Sequence, residues 1–481
     1  MRILLINPPY RTLTSTVGVG HQVPLGLIAV GGPLIDAGHT VRLLDAECLR
    51  LDDERIVEAV RAAAPDVVMT GHAGSTPAHP VCIRMLRAIR HALPSVTTVY
   101  GGVFPTYHAS AILAAEDAVD FIVRGEGEAT ALDLITALAS DADDDALADV
   151  TGVSRRANGR IVTNPDRPPL RDLDAVRRGW ELVEDWDRYR CFGLGRAAVV
   201  QFSRGCPHRC TYCGQHDFWM RWRHRDPVAF VDEVEFLYRE HDVRFLTLAD
   251  ENPTTLPRVW RRVLEELAAR ALPVRIFATI RATDIVRDEA ILPLYRDAGI
   301  LYVLMGIEST DAAVLAQVRK RSTPREDFRA CQLLKAHGIF SVIGHIVGLG
   351  DERWSSLWRA ARVLAAYDGD YLNAMYVTPH TWTPFAAAQS ARPLVELDQG
   401  RWDYRHQVLA EPHLRPWQLF LGVKCLELHF HLRPRRLWRL FTADAFRRRQ
   451  ALWCQAHTFA VWLGEIASFL TSRRASGART L

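Results

Sequence analysis

Cys206, Cys210 and Cys213 fall in the run Ser203-Arg204-Gly205-Cys206-Pro207-His208-Arg209-Cys210-Thr211-Tyr212-Cys213. A C-x3-C-x2-C loop brings three thiolates to one point, which suits a cubic iron–sulfur cluster with one iron left unligated by protein. An iron with an open position can bind a small molecule and do chemistry on it, whereas a cluster held by four thiolates mostly passes electrons. Two plainer uses of the same residues stand beside this one. Three close cysteines could hold a structural zinc, with His208 or His216 as fourth ligand, although such sites usually pair two C-x2-C halves and only one is here. They could also be buried thiols. Disulfides are disfavoured, because nine cysteines are an odd number and no signal-peptide pattern precedes them. The other six, Cys48, Cys82, Cys191, Cys331, Cys425 and Cys454, are scattered and read as core residues.

A chain of 481 residues has room for two or three domains around such a site. Its 48% apolar and 24% charged residues are an ordinary globular mix, and a net charge of +3 is too small to imply nucleic acid. Met1-Arg2-Ile3-Leu4-Leu5-Ile6-Asn7 runs straight into a strand-like segment, which predicts no targeting peptide. The longest apolar stretch, Ala451 to Leu470, is interrupted by Gln455, His457 and Glu465 at amphipathic-helix spacing, so no membrane span is expected. A reduced cytoplasmic enzyme is the default reading, with a peripheral membrane position as its variant.

The first 140 residues alternate apolar runs with amphipathic stretches. The runs are Ile3–Ile6, Val41–Leu44, Val67–Met69, Thr98–Tyr100 and Phe121–Val123. Strands alternating with helices predict a parallel sheet covered on both faces, here a doubly wound, flavodoxin-like (Rossmann-type) domain over 1–145. Ligands of such folds bind beyond the carboxyl ends of the strands. The loops there are Asn7 to Tyr10, Gly71 to Pro77, Gly101 to Pro105 and Arg124 to Glu128, and three of the four are glycine-rich. A hairpin with Asn158-Gly159 as its turn, then a Pro- and Asp-rich connector at 164–174, make 146–192 a hairpin and linker.

From 193 to 394 the alternation resumes. Strand candidates are Ala198–Phe202, Phe245–Leu248, Arg275–Ala278, Tyr302–Met305, Ser341–Val347 and Leu372–Val377. Six units predict a partial (β/α)6 TIM-type barrel, whose chemistry sits at the C-terminal strand ends. Each strand delivers polar residues there: the cysteine loop, Asp250-Glu251-Asn252, Arg281 and Asp284, Glu308-Ser309, His345, and Thr378-Pro379-His380. Lys320 and Thr323 mark a helix boundary. Residues 395–481, rich in Trp and Arg, predict an α-helical cap on the barrel mouth. Its basic stretch (Arg433, Arg435, Arg436, Arg439, then Arg447 to Arg449) interleaves with Trp438, Phe441 and Phe446. A solvated helix face is the default for such a run; binding an anionic substrate or a membrane surface is the alternative.

The cysteine spacing, with an aromatic residue before the third cysteine, resembles the radical S-adenosylmethionine (radical SAM) superfamily. The resemblance implies a 4Fe–4S cluster on Cys206, Cys210 and Cys213 whose open iron chelates SAM. Reductive cleavage of SAM then gives a 5′-deoxyadenosyl radical, with the electron from a donor such as flavodoxin or ferredoxin. It also implies that Glu308, in Leu304-Met305-Gly306-Ile307-Glu308-Ser309, binds the SAM ribose, a diol that a carboxylate can accept two hydrogen bonds from. Tyr212 would touch the adenine, or simply pack. Asp250 and Glu251 stand where relatives bind the SAM amino group, and His345 lies on the same rim. Arg281 would pair the methionine carboxylate or form a structural ion pair.

Gly101-Gly102-Val103-Phe104-Pro105-Thr106 and Asp120 through Glu128 resemble two recurrent stretches of B12-dependent radical SAM enzymes. This implies a cobalamin-binding first domain, with Pro8, Thr76, Gly101, Gly102, Val103, Phe104, Arg124, Gly125, Glu126 and Gly127 at the cofactor. The D-x-H-x-x-G pattern that supplies a histidine below cobalt in B12 mutases is not present. The resemblance therefore implies cobalamin with no protein nitrogen on the metal, and His72 and His108 are the alternative ligands. Tyr376 to Phe385 and Trp417 to Phe441 resemble the anaerobic magnesium-protoporphyrin IX monomethyl ester oxidative cyclase branch, while Gly18 to Pro24 departs from it. Three functions follow: cyclase-type oxidation of a large, tetrapyrrole-type substrate, radical C-methylation, or a non-catalytic cobalamin or iron–sulfur sensor.

Overall fold

A computed structural model describes residues 1–11, 20–72, 76–140, 143–436, 438 and 445–471, apart from the side chains at 216 and 445–447. Gly18, Val19, Gly74, Ser75, Arg439 and Phe441, which figured in the sequence reading, lie outside the described residues. The chain divides into two compact units. One comprises 1–11, 23–188 and 217–224, the other 12–22, 189–216 and 225–481.

The first unit is built on a seven-stranded sheet. Its strands are β1 (Arg2–Asn7), β2 (Thr40–Asp45), β3 (Val67–His72), β4 (Thr97–Gly102), β5 (Phe121–Val123), β6 (Val153–Ala157) and β7 (Arg160–Thr163), in the order β2-β1-β3-β4-β5-β6-β7. The first five pair in parallel. Val67, Met69, Val99 and Val123 pack with Leu27 and Leu34 of the helix Leu25–Asp36 and with Leu134 and Ile135 of the helix Gly127–Ala139. Near-continuous apolar strands are what helices on both faces of a parallel sheet require. The hairpin turns on Asn158 (φ +50°) and Gly159 (φ +74°), both left-handed, as a two-residue turn between twisted strands demands. It is no free-standing element: β6 pairs antiparallel with β5, so the hairpin extends the sheet.

The second unit carries a six-stranded parallel sheet. Two-residue strands β9 (Ser203–Arg204) and, in the first unit, β10 (Arg223–His224) complete the numbering. The six are β8 (Arg196–Val200), β11 (Val243–Leu248), β12 (Arg275–Thr279), β13 (Ile300–Glu308), β14 (Phe340–Val347) and β15 (Tyr371–Tyr376), each beside its predecessor. The last strand does not pair with the first among the described residues, so the barrel is open. Helix starts are written locally. Asp226 accepts hydrogen bonds from Val228 N and Ala229 N ahead of Pro227, and Thr323 with Glu326 forms a capping box ahead of Pro324. Aromatic residues plug the N-terminal end of the strands, where Phe192 meets Phe245, Phe277 and Tyr302.

The C-terminus is helical over Pro416–His431 and Ala445–Thr471, but 395–415 holds only one 3-10 turn, Gln399–Arg401. These helices run beside the sheet from the N-terminal strand ends to the 401–406 segment, where Ser468 meets Arg401 and His406. Trp453 packs on Phe192 (5.2 Å), Thr458 meets the hydroxyl of Tyr371, and His431 stacks beside Tyr371 (5.3 Å), all at the N-terminal ends of strands. The basic stretch is no solvated face throughout. Arg433 is buried and bonds to Asp368 and the carbonyl of Gly369, and Arg436 is buried against His431. No helix among the described residues is long and apolar enough to cross a membrane.

Candidate active site

Residues 318–321, between the helices Ala312–Gln317 and Pro324–Ala336, are the piece on which the C-terminal rim of the barrel converges. Arg319 (φ +56°) and Arg321 (φ +54°) are both left-handed, a conformation costing a non-glycine residue roughly 1 kcal/mol each. What holds the turn is contact from three sides. Thr211, inside the cysteine loop, donates its amide to Val318 O (3.1 Å), and Cys210 Sγ lies 3.8 Å from Arg319 O. Arg281, at the end of β12, donates to Lys320 O (2.6 Å) and Arg321 O (3.2 Å). Lys320 Nζ reaches Glu308 Oε1 at 2.8 Å, and both side chains are buried.

Glu308 ends β13 in a left-handed conformation (φ +63°), beside a register shift between Gly306 and Glu308. The glycine at 306 is dictated by crowding: a Cβ there would stand 2.2 Å from Glu308 Oε1 and 3.0 Å from Lys320 Nζ. His345 lies opposite Glu308 in the β13–β14 register. Burial holds its imidazole down at about 4, so it is neutral near pH 7, and Nδ1 is buried without a hydrogen-bond partner. Arg281 Nε is similarly buried and unpartnered. Two polar atoms left unsatisfied at one rim are what a polar ligand such as SAM would meet. Arg281 is therefore neither an ion pair nor aimed wholly at a ligand; its Nη2 is committed to backbone carbonyls.

One expectation for a SAM contact changes. Asp250 is fully buried and accepts hydrogen bonds from Phe202 N (3.0 Å), Ser203 N and Ser203 Oγ (2.6 Å). Burial pushes its carboxyl up to about 6 against those hydrogen bonds. It clamps the start of the cysteine loop, with both oxygens already accepting hydrogen bonds from 202 and 203. Glu251 accepts from Gly205 N (3.2 Å), which keeps it beside Cys206. Lys320, read above as a helix boundary, is the counter-ion of Glu308, and only Thr323 caps the helix. Tyr212 packs against the cluster that includes Val318, Leu349, Val377 and Phe385, with its phenol towards Glu308.

The cysteine loop is fixed from a second direction. Phe385 N donates to Thr211 O (3.0 Å), and Trp382 Nε1 donates to Gly214 O (2.9 Å). Buried His380 stacks on Trp382 (4.9 Å) and bonds to the Tyr404 hydroxyl (2.7 Å). The Thr378–Phe385 segment thus braces the loop. Burial and the neighbouring Cys210 and Cys206 push the Cys213 thiol up to about 11, so the three sulfurs share one neighbourhood where their thiolates repel. A cationic iron cluster relieves that repulsion.

In the first unit the strand-end loops approach one another closely. A Cβ at Gly71 would stand 2.7 Å from Gly101 O, and one at Gly102 (φ +108°) 2.7 Å from His72 O. Thr106 Oγ1 joins the two predicted cobalamin loops, donating to Gly102 O (2.7 Å) and accepting from Gly125 N (2.9 Å). A Cβ at Gly125 would meet nothing within 4 Å, an open approach for a large ligand. Val103, Thr76 and Pro8 are buried, and Gly127 begins a helix. Phe104 is buried between His79 (4.3 Å) and His108 (4.4 Å), and His72 meets the ring of Tyr10 edge-on (5.3 Å). Arg124 is committed to Asp166 and the carbonyl of Asn164, and Glu126 pairs with Arg223 at 2.6 Å in a buried setting. These two tie the loop to distant segments. Arg223 was missed because its partner Glu126 lies far away in sequence, and Thr106 and His79 because their residue types carry no signal for these contacts.

Lys320→Met removes the cation from buried Glu308 and is expected to cost about 3 kcal/mol, whereas Lys320→Arg retains most stability; denaturant unfolding of the two variants checks this. Acidification is a second test. His345 and His380 are held at about 4 when folded, while their unfolded forms bind a proton near 6.5. Their contribution to stability is therefore complete above pH 6.5 and is lost as pH falls towards 4. His345→Gln should flatten that loss in urea midpoints measured at pH 7 and pH 5.

Comparison with known proteins agrees with these two sites. The Radical SAM superfamily model matches residues 200–364, and the B12 binding domain model matches residues 11–135. The anaerobic magnesium-protoporphyrin IX monomethyl ester cyclase of Synechocystis sp. is 45% identical over 98% of this chain and 94% of its own length. The cyclase of the same name from Rubrivivax gelatinosus is 33% identical over 94% of this chain and 81% of its own. The hopanoid C-3 methylase of Methylococcus capsulatus is 26% identical over 88% and 78%. Among solved structures, the radical S-adenosylmethionine methyltransferase TsrM from Kitasatospora setae, with cobalamin and a 4Fe–4S cluster bound, superposes with a TM-score of 0.72. It covers 96% of this chain and 99% of its own at 16% identity, a likeness of fold.

Proposed function

The chain belongs to the B12-dependent radical SAM enzymes, within the anaerobic magnesium-protoporphyrin IX monomethyl ester cyclase family, and on that footing we propose that it performs cyclase-type oxidation of a tetrapyrrole ester. Its cofactors are a 4Fe–4S cluster, SAM and cobalamin. When bound, these supply hydrogen-atom abstraction at an unactivated carbon and a one-electron acceptor that lets water-derived oxygen add.

The residues divide the work. Cys206, Cys210 and Cys213 hold the cluster, on a loop clamped by Asp250, Val318 and Trp382. Glu308, held by Lys320, takes the SAM ribose, with His345 Nδ1, Arg281 Nε and Glu251 at the remaining polar groups of that ligand. The Gly101–Phe104 and Gly125–Gly127 loops, joined by Thr106, take cobalamin, and Thr76 and Pro8 border them. Electrons come from a small redox protein such as flavodoxin or ferredoxin, and a lipophilic ester substrate favours work at a membrane periphery.

The observation that carries the oxidative reading is near-full-length likeness to cyclases, which exceeds the likeness to methylases in both identity and span. Radical C-methylation is kept as the second reading because methylases share the whole two-unit architecture. Turnover of the reconstituted enzyme with magnesium-protoporphyrin IX monomethyl ester, methyl-labelled SAM and 18O-water separates the two. We expect heavy oxygen in the product and the methyl label in methionine; methyl label in the product would sink the oxidative reading. Uncoupled 5′-deoxyadenosine formation, abolished by Cys210→Ala, excludes a non-catalytic sensor.

A further inference from the structure

The C-terminal helices bury charged groups among apolar core residues such as Leu419, Leu426, Phe430 and Val461, and leave other large apolar residues outside. On the helix Pro416–His431 the buried residues include Lys424, Glu427 and His431, and on Ala445–Thr471 they include His457, Thr458 and Glu465. Lys424 Nζ bonds to both Glu427 and Glu465 across the two helices. The outward faces are apolar instead. Trp417, Leu421, Cys425, Leu428 and Leu432 are exposed at steps of four, four, three and four residues, one unbroken stripe with no charge in it. On the second helix Leu452, Ala456, Phe459, Leu463, Ile466 and Leu470 repeat the pattern. Exposure reaches 57% at Leu432, 61% at Phe459 and 76% at Leu470.

The two stripes face the same way. Phe420 stacks on Phe469 (4.2 Å) and Lys424 bonds to Glu465, while His431 meets Trp462 (6.1 Å), so the helices run antiparallel. At about 100° per residue, each stripe sits about a quarter turn from the residues that meet the other helix. It also lies opposite the face turned to the core. Antiparallel packing then turns both stripes to one side. Trp354 and Trp358 of the helix Trp354–Tyr367, 43% and 52% exposed, border the first stripe beside Gly422 and His429. A contiguous apolar surface of this extent is rare on a soluble protein unless something covers it.

Charge says what covers it. From residue 412 onward the sequence has twelve lysines and arginines against three acids, and two of those acids are the buried partners of Lys424. Of the exposed arginines, Arg415 caps the start of the first helix, Arg448 lies one turn before Leu452, and Arg362 lies one turn after Trp358. Two copies of such a surface would bring like charges together, whereas an anionic lipid surface complements both the stripes and their basic surround. We infer that the paired outer faces of the 416–431 and 445–471 helices dock on the surface of an anionic phospholipid bilayer, lying in the interface without crossing it. This placement stands whichever product the enzyme makes.

The full-length, cluster-reconstituted protein is to be floated with vesicles of phosphatidylcholine, with and without phosphatidylglycerol, beside the variant Leu421→Glu/Leu428→Glu/Phe459→Glu/Leu463→Glu. The wild type should float with the anionic vesicles, less so at high salt. The variant should partition at least about ten-fold more weakly. Lipid-free 5′-deoxyadenosine formation should be equal in both, which shows that the variant folds. Wild-type protein that stays unbound to every vesicle overturns the inference. So does a wild-type dimer in light scattering that the four substitutions turn into a monomer, since the stripes would then cover each other.

Discussion

Residues 318–321 are the constraint on which the barrel rim depends. A turn with two left-handed arginines is costly alone, and it persists because the cysteine loop, β12 and β13 each bond to it. The consequence runs in both directions. Lys320 carries the cation that Glu308 needs at the end of a buried strand, and Val318 fixes the amide of Thr211 between two cysteines. The Glu308 carboxylate and the cysteine loop are thus referenced to the same four residues, so neither shifts without the other. Groups meant to act on one ligand need such a common reference more than they need any single contact.

The periodicities made the architecture legible. Alternating apolar runs fixed both parallel sheets, because strands buried on two faces have few ways to be polar, and Asn158-Gly159 marked its hairpin by needing two left-handed residues. What the runs could not say is which sheet the hairpin joins, since pairing with β5 is a matter of edge availability.

At the candidate site the strand ends were legible as places and much less so as roles. Asp250 stands where a ligand-binding acid is expected, yet its oxygens are taken by the backbone of 202 and 203, forty-seven residues away in sequence at the latter. Arg281 similarly spends one nitrogen on carbonyls of the 318–321 turn. Sequence shows the residue type a strand end presents. Whether that group is already satisfied depends on a partner brought by the fold, and for Arg223 the partner, Glu126, is more remote still. Glycines are the exception, because close backbone approach leaves no alternative residue: Gly71 and Gly102 are explained by the carbonyls that a Cβ would strike.

The C-terminal helices are where reading by pattern fails for a physical reason. Amphipathicity is taken to mean apolar inside, and a polar interruption at Gln455, His457 and Glu465 then looks like the solvent side of a helix. In the fold that polar side turns inward, where Lys424 binds Glu427 and Glu465 together and Arg433 binds Asp368. Burying these charges carries a desolvation cost of several kcal/mol per ion before their attraction offsets it, and apolar residues could have filled the same space. A sequence that accepts this cost while leaving Trp417, Leu421 and Phe459 outside is organised around a medium other than water on that side. The same inversion places two of the region's three acids, Glu427 and Glu465, within as partners of Lys424, while Arg415, Arg435 and Arg448 stay exposed.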